Sequence, residues 1–239
     1  MVIKNFFNLI NFLQLPDREN LLIFYSEGAD YWTHFEGIIK NLLIKKQKVC
    51  YLTSDKNDKG LLLKNPFFVS YSIGSGHIRN WIFENLQCNF ILMTMPDLAQ
   101  YQIKKSRYPV KYGYVQHSLV SLHMAYRQKA FDEFDVIFCS GPHHLKEMTL
   151  IERVNCTTPK TLIKHGYGRV DRLLKLSKNY QSTEREESVQ TVLIAPSWGK
   201  NCIIESIGSN LISTLLKSNK KIILRPHPQT YKFSKKKIS

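Results

Sequence analysis

The sequence has few cysteines, few acidic residues and no long apolar run, and each shortage excludes a class of protein. The five cysteines among 239 residues are an odd number, lie far apart and never form a CxxC pair, which argues against a disulfide framework and a metal site. No apolar run approaches the roughly 18 to 20 residues of a membrane span. Hydrophobic residues make up 43% and charged residues 22%, which excludes a disordered or collagen-like chain.

Basic residues far outnumber the acidic ones. There are 34 Lys and Arg against 19 Asp and Glu, a net charge of +15, and removal of the seven basic residues between Ser218 and Ser239 still leaves +8. This surplus predicts polyanionic partners, namely phosphorylated substrates or an anionic membrane surface. Nucleic acid is disfavoured, because the sequence has neither the pattern of an RNA-recognition strand nor zinc-finger spacing.

Short apolar runs alternate with stretches of helical period. Strands are predicted at 20–25, 48–53, 67–73, 90–95, 112–116, 135–139 and 160–164, and helices at 31–46, 78–86, 119–131, 143–154 and 170–176. This order predicts βαβ units and therefore an α/β fold with a mostly parallel sheet. Residues 1–15 are predicted to form an amphipathic helix docked on the core, with contact to a membrane surface as the alternative.

The composition changes at residues 177–190, SKNYQSTEREESVQ, and predicts a linker between two lobes. We assign residues 1–178 to an N-terminal Rossmann-like domain, 179–190 to the linker and 191–239 to the start of a second Rossmann-like domain. The second part is predicted to contain a strand at 191–195, a helix near 205–216 and a strand at 221–224. So few elements cannot bury a core, so we expect the second lobe to be incomplete.

Polar residues that directly follow strands are candidate site residues, because ligands of an open parallel sheet bind beyond the carboxyl ends of its strands. The segment YVQHS delivers His117 and Ser118 to that edge. An imidazole with an ordinary pKa of about 6.5 suits a general base that takes a proton from a hydroxyl. The alternative is a histidine that forms only local hydrogen bonds at a strand end.

Two motifs of the second lobe also follow strands. In LRPHP, two prolines fix the backbone around Arg225 and His227, which are suited to binding phosphate oxygens; a plain turn is the alternative. In APSWGK, Ser197 and Gly199 precede a helix, where backbone N–H groups bind anions, although a structural role for this glycine loop is the alternative. Its spacing is not that of a Walker A loop.

Two further polar segments belong to the first lobe. In HGYGRVD, Arg169 and Asp171 are suited to pair and fix the hinge between the lobes, or simply to start a helix with a local ion pair. His143 and His144 lie at a predicted helix start without an HExxH partner, so we expect both on the surface.

Taken in order, YVQHS, FDVIFCSGPHHLKEM, GYGRVD, VLIAPSWG and ILRPHP resemble motifs of the CDP-glycerol glycerophosphotransferase family of teichoic-acid-type polymer synthesis. The resemblance implies two Rossmann-like lobes of the glycosyltransferase-B type. It also implies transfer of glycerol phosphate from CDP-glycerol to a polymer hydroxyl, with release of CMP and without an essential metal or other cofactor. The family's later nucleotide-binding motifs would fall after Ser239, so we expect a fragment with an incomplete donor site.

By position, the resemblance makes His117 the base that acts on the acceptor hydroxyl and makes His227 a catalytic group that stabilises charge on the donor pyrophosphate. The residues implied in substrate or donor binding are Ser118, Arg169, Asp171, Ser197, Gly199 and Arg225.

The implied partners are a nucleotide-activated polyol or sugar donor and an anionic polymer or lipid-linked acceptor. The unpaired cysteines predict a reduced, cytoplasmic location, and the basic charge predicts peripheral binding to the inner face of the cell membrane. Two other functions stay open. One is another nucleotide-sugar transferase or epimerase of capsule synthesis; the other is an inactive basic binding module.

Overall fold

The computed structural model describes residue 8 and residues 10–15, 21–100, 103–178, 190–218 and 220–233. The chain divides into two compact units, residues 1–179 and residues 180–239. Of the predicted linker at 179–190, only Gln190 lies within the described residues.

The first unit contains a seven-stranded sheet in which all neighbouring strands are parallel. Its strands are β1 Leu22–Ser26, β2 Val49–Thr53, β3 Phe68–Ser72, β4 Phe90–Met93, β5 Lys111–Val115, β6 Val136–Cys139 and β7 Thr161–Lys164. Its helices are α1 Trp32–Ile44, α2 His77–Glu84, α3 Leu122–Ala125, α4 Pro142–Asn155 and α5 Gly168–Lys178. The strand order β3-β2-β1-β4-β5-β6-β7 confirms the predicted α/β fold with a parallel sheet.

Apolar side chains cover both faces of this sheet, which is why its strands lack polar alternation. Ile23 and Tyr25 of β1 point into one buried cluster, and Phe24 between them points into the other. Gly113 of β5 leaves room for an aromatic ring, because a Cβ atom there would lie only 2.4 Å from Phe90 Cζ. The closely packed central strands hold the site residues that follow them in fixed positions.

The predicted helix at 119–131 is wrong over most of its length. Only α3 is helical, the backbone becomes extended at Tyr126, and Lys129 has a left-handed φ of 64°. The carboxylate of Glu147 on α4 instead accepts hydrogen bonds from Leu122 N and Ser121 Oγ. This contact between elements holds the segment against α4 and replaces the helical hydrogen bonds that the local sequence predicts.

The described part of the N-terminal segment follows the prediction. Residues 10–13 are helical, and the buried ring of Phe12 lies 6.2 Å from the ring of Tyr71. The rest of the predicted helix at 1–15 lies largely outside the described residues. None of the helices within the described ranges combines the length and apolar character required for crossing a membrane.

The second unit contains two parallel strands, β8 Thr191–Ile194 and β9 Lys221–Leu224. Helix α6, Ile203–Leu216, connects them, and α7, Pro228–Phe233, follows β9 where the sequence predicted no helix. No residue of either strand is fully buried, and Leu193 and Ile223 stay exposed on one face. The two units therefore differ strongly in how well their sheets are covered.

Candidate active site

The carboxyl ends of β1, β4 and β5 lie side by side in the first unit, and the strand order reverses between β1 and β4. A doubly wound sheet binds ligands in the crevice outside the strands at such a switch point. Glu27 follows β1, Thr94 follows β4, and Gln116 and His117 follow β5. The fold therefore brings these polar residues to the expected binding edge.

His117 lies half-buried in a network of hydroxyl groups. Its Nδ1 is 3.1 Å from Tyr114 Oη, and the Tyr114 hydroxyl donates to Tyr126 Oη at 3.1 Å. Ser118 Oγ is 3.3 Å from the same Tyr126 oxygen. The backbone carbonyl of Thr94 accepts a further hydrogen bond from the imidazole. These contacts hold the ring in a fixed orientation at the crevice.

Burial lowers the pKa of His117, and the hydrogen bond to the Thr94 carbonyl opposes this only in part. The imidazole is therefore neutral at pH 7 and able to accept a proton. A second histidine, His34 of α1, is 7% exposed, and its ring centroid lies 6.4 Å from that of His117. Burial, with the nearby charges of His117 and Arg169, lowers the pKa of His34 to about 4.

Arg169, in the first turn of α5, belongs to the same surroundings. It hydrogen-bonds the Tyr167 hydroxyl, which in turn donates to the His117 carbonyl oxygen at 2.9 Å. Among the described residues, no carboxylate lies within 4.0 Å of its guanidinium, so the suggested ion pair with Asp171 is not formed. The charge of Asp171 instead influences His165. Burial lowers the pKa of His165, and the negative charge of Asp171 partly opposes this lowering.

Sequence reasoning missed Glu27 and Arg79 beside the switch point. Burial raises the pKa of Glu27, and the charge of Arg79 on α2 partly opposes this rise. Arg79 also hydrogen-bonds the hydroxyl of Tyr25. The sequence did contain a signal for Glu27, because Glu27 directly follows an apolar strand, as the segment that contains His117 does.

Two buried polar side chains at this edge have no hydrogen-bond partner within the described part of the chain. Gln116 is 2% exposed, and neither atom of its carboxamide is bonded; Thr94 Oγ1 is unbonded as well. Buried polar atoms are nearly always hydrogen-bonded in folded proteins. This part of the crevice floor therefore offers hydrogen bonds to an ordered water or a ligand hydroxyl.

His144 is buried, which corrects the expectation that it lies on the surface, whereas His143 is exposed. Nδ1 of His144 accepts a hydrogen bond from the backbone N–H of Ser140 at 3.3 Å. Nε2 of the same ring donates a hydrogen bond to the backbone carbonyl of Val120 at 2.8 Å. Because both ring nitrogens have backbone partners, the neutral ring fastens α4 to the segment that follows His117. The role of His144 is thus to hold this segment in place.

In the second unit, β8 and β9 are parallel and in register, so the residues after them share one sheet edge. The backbone N–H of Gln229 donates to His227 Nδ1 at 3.1 Å. Nδ1 is therefore an acceptor, and the neutral ring carries its proton on Nε2, where it can donate to a ligand. Arg225 is exposed next to it, and its backbone N–H donates to Ile194 O at 2.8 Å.

The loop after β8 reaches the same edge. The ring of Trp198 stacks on that of His227, with centroids 6.2 Å apart and planes inclined by 26°. Ser197 is exposed, and Gly199 has a φ of +106°, a left-handed conformation that favours glycine. The structure thus gathers Ser197, Gly199, Arg225 and His227 at one edge of the second unit.

Within the described ranges, no three His, Cys, Asp or Glu side chains form a group that could hold a metal ion. A cavity of about 1020 Å³ opens near the amino ends of β5, β6 and β7, and its lining contains no histidine. The described side chains at the candidate site offer imidazole, guanidinium, carboxylate and hydroxyl groups.

Similar solved structures include UDP-N-acetylglucosamine 2-epimerase from Rickettsia bellii, with a TM-score of 0.58 and 12% sequence identity over 89% of this chain and 63% of that chain. The wall teichoic acid polymerase TagF has a TM-score of 0.48 and 11% identity over 97% of this chain and 63% of that chain. No protein-family profile and no curated protein sequence matches the chain.

The likeness to the epimerase confirms the predicted α/β fold class of the glycosyltransferase-B type. The chain spans 63% of the length of each of these two structures.

Proposed function

We propose that the chain acts as a transferase that moves a polyol phosphate from a CDP-activated donor to a hydroxyl of an anionic acceptor. The observation that carries this proposal is the environment of His117, an imidazole whose pKa is lowered by burial at the switch-point edge of a parallel sheet. A neutral, oriented imidazole is suited to general-base catalysis. The resemblance of the motifs to the CDP-glycerol glycerophosphotransferase family supports the choice of donor.

In the proposed reaction, the acceptor hydroxyl oxygen attacks the phosphorus that carries the polyol. A new O–P bond forms, the P–O bond to the CMP phosphate breaks, and CMP leaves with the bonding electron pair. His117 takes the proton of the attacking hydroxyl. The contact between Nδ1 and Tyr114 Oη orients the ring, and the ring nitrogen that carries the lone pair takes the proton.

We assign the binding of the donor phosphates to the second unit. His227 donates from Nε2 and Arg225 supplies positive charge, while Ser197 and the backbone at Gly199 complete the anion site. In the first unit, Arg169 is assigned an acceptor phosphate, because it stands beside His117 without a carboxylate partner within the described residues.

The test is release of CMP from CDP-glycerol by the full chain in the presence of a poly(glycerol phosphate) acceptor. We expect release that needs the acceptor, and we expect His117→Ala to lower it by about 100-fold or more. His77→Ala is the matched control, because His77 is an exposed histidine of the same unit at the start of α2.

The outcomes separate the alternatives. Turnover of UDP-sugars in place of CDP-glycerol would favour another nucleotide-sugar enzyme, and binding without turnover of either donor would favour the basic binding module. Full activity of the His117→Ala variant would overturn the general-base role.

A further inference from the structure

His34 is a buried histidine that the proposed reaction does not use. It is the third residue of α1, and its neighbours on the buried face of that helix, Trp32, Phe35 and Ile39, belong to an apolar cluster. Within the described residues, the contacts of its imidazole are ring contacts, and none of them is a hydrogen bond. Since buried polar groups are nearly always hydrogen-bonded, this ring offers its N–H and its lone pair to a ligand.

Two tyrosines hold His34 and His117 at a fixed spacing. The centroid of the Tyr31 ring lies 6.4 Å from that of His34 and 5.7 Å from that of His117. The centroid of the Tyr167 ring lies 5.5 Å from that of His34, and the Tyr167 hydroxyl donates to the His117 carbonyl oxygen at 2.9 Å. The same two side chains therefore fix both imidazoles.

The spacing of the two imidazoles fits one oxygen atom between them. Their ring centroids lie 6.4 Å apart, with the ring planes inclined by 81°. A hydrogen bond of about 2.9 Å from each ring places a shared oxygen about 4 Å from each centroid. Two such distances span 6.4 Å when the angle at the oxygen is about 105°, which is close to the tetrahedral angle of a hydroxyl group.

The two histidines differ in what their ring nitrogens already contact. Nδ1 of His117 is 3.1 Å from Tyr114 Oη, whereas no described residue hydrogen-bonds His34. Burial, with the nearby charges of His117 and Arg169, lowers the pKa of His34 to about 4. His34 is therefore neutral at pH 7, with one N–H to donate, and does not compete with His117 for the proton.

Arg169 places positive charge beside the same two rings. Its charge acts on His34, and its side chain hydrogen-bonds the Tyr167 hydroxyl. A phosphate bound by Arg169 therefore lies next to an oxygen held between the two imidazoles. The terminal unit of a glycerol phosphate polymer matches this arrangement, because its free hydroxyl groups are only a few bonds from its phosphate.

We propose that His34 binds the acceptor, with its N–H donating a hydrogen bond to the hydroxyl oxygen whose proton His117 takes. The inference rests on the proposed function, because that function makes His117 the base and a hydroxyl the attacking group. The site selects an alcohol that carries a phosphate nearby, since both groups are held at once.

The experiment is calorimetric titration of poly(glycerol phosphate) into the full chain in the absence of donor. His34→Phe is expected to raise the Kd about fivefold, because one hydrogen bond between neutral groups is lost. His34→Gln keeps a side-chain N–H and is expected to stay within about twofold of the wild type. The matched control is His77→Phe, the same change at an exposed histidine at the start of α2, which should leave the Kd unchanged.

A double-variant cycle tests whether the two histidines share one oxygen. His34→Phe is expected to raise the Kd clearly less in the His117→Ala background than in the wild type, since groups that bind one atom are coupled. The same cycle, measured by urea denaturation without polymer, checks that this coupling needs the ligand. Circular dichroism checks that each variant folds.

Four results would overturn the inference: no polymer binding by the wild type, an unchanged Kd in His34→Phe, an equal loss in His77→Phe, or additive losses in the cycle. If His34→Phe does not fold, NMR of the wild type decides. The ring signals of His34 and His117 should then shift and saturate together as polymer is added, and a shift of His117 alone contradicts the shared oxygen. A failed transfer assay with binding that still depends on His34 counts against the proposed function only.

Discussion

His117 and His227 both follow a strand of a parallel sheet, but they lie in very different surroundings. His117 follows a strand of a seven-stranded sheet that has a buried apolar cluster on each face, and tyrosine rings surround its imidazole. His227 follows a two-stranded sheet with no fully buried strand residue. Burial in the deep core lowers the pKa of His117. At the thin sheet, a hydrogen bond from the backbone N–H of Gln229 fixes the tautomer of His227.

The largest expected effect contrasts these two histidines. His227→Ala removes a donor to the phosphate and is expected to lower CMP release by about 100-fold, while the activity keeps the pH dependence that His117 imposes. His117→Ala removes the base and with it the acid limb of the pH profile. Initial rates of CMP release by both variants between about pH 5 and 8 would show whether the acid limb is kept in His227→Ala and lost in His117→Ala. A shifted acid limb in His227→Ala would contradict the division of roles.

A smaller effect tests whether the surroundings of His117 include a phosphate site. Arg169→Gln is expected to raise the KM for the acceptor by about tenfold, because a charge-assisted hydrogen bond is lost. Arg172→Gln is the matched control, as it makes the same change of charge one turn further along α5, where Arg172 is exposed. Equal effects of the two substitutions would mean that only the overall charge of α5 matters.

The smallest expected effect concerns the floor of the crevice. Gln116→Leu replaces a buried carboxamide, which has no hydrogen-bond partner within the described residues, by an apolar side chain of similar size. We expect the free energy of unfolding, measured by urea denaturation without ligand, to rise by about 1 kcal/mol. Gln47→Leu, at an exposed position, should change it by less than about 0.5 kcal/mol. A clear loss of stability in Gln116→Leu would show that the carboxamide is already paired.

The sequence was sufficient to predict elements whose structure follows from their local apolar pattern. Strands β1, β2 and β4 are nearly continuous apolar runs because both of their faces are buried, and this pattern predicts their places closely. The rule that site residues follow strands also selected His117, whose position at the sheet edge then follows from the parallel order.

Contacts between distant segments could not be read from the sequence. His34 and His117 are 83 positions apart and meet only because α1 packs near the end of β5. The contact of Glu147 with α3 also joins distant segments. The Glu147 carboxylate accepts a hydrogen bond from the backbone N–H of Leu122 and limits α3 to a single turn. The burial of His144 depends on backbone partners in two separate segments.

The most direct test of the role of His117 is an NMR titration of its ring in the full chain, with His117→Ala used to assign the signal. Because burial disfavours the charged form, the apparent pKa should lie below 6.5, and the imidazole should be neutral at pH 7. An apparent pKa at or above 6.5 would contradict the burial of the His117 ring in the crevice. It would also remove the basis for His117 as the general base.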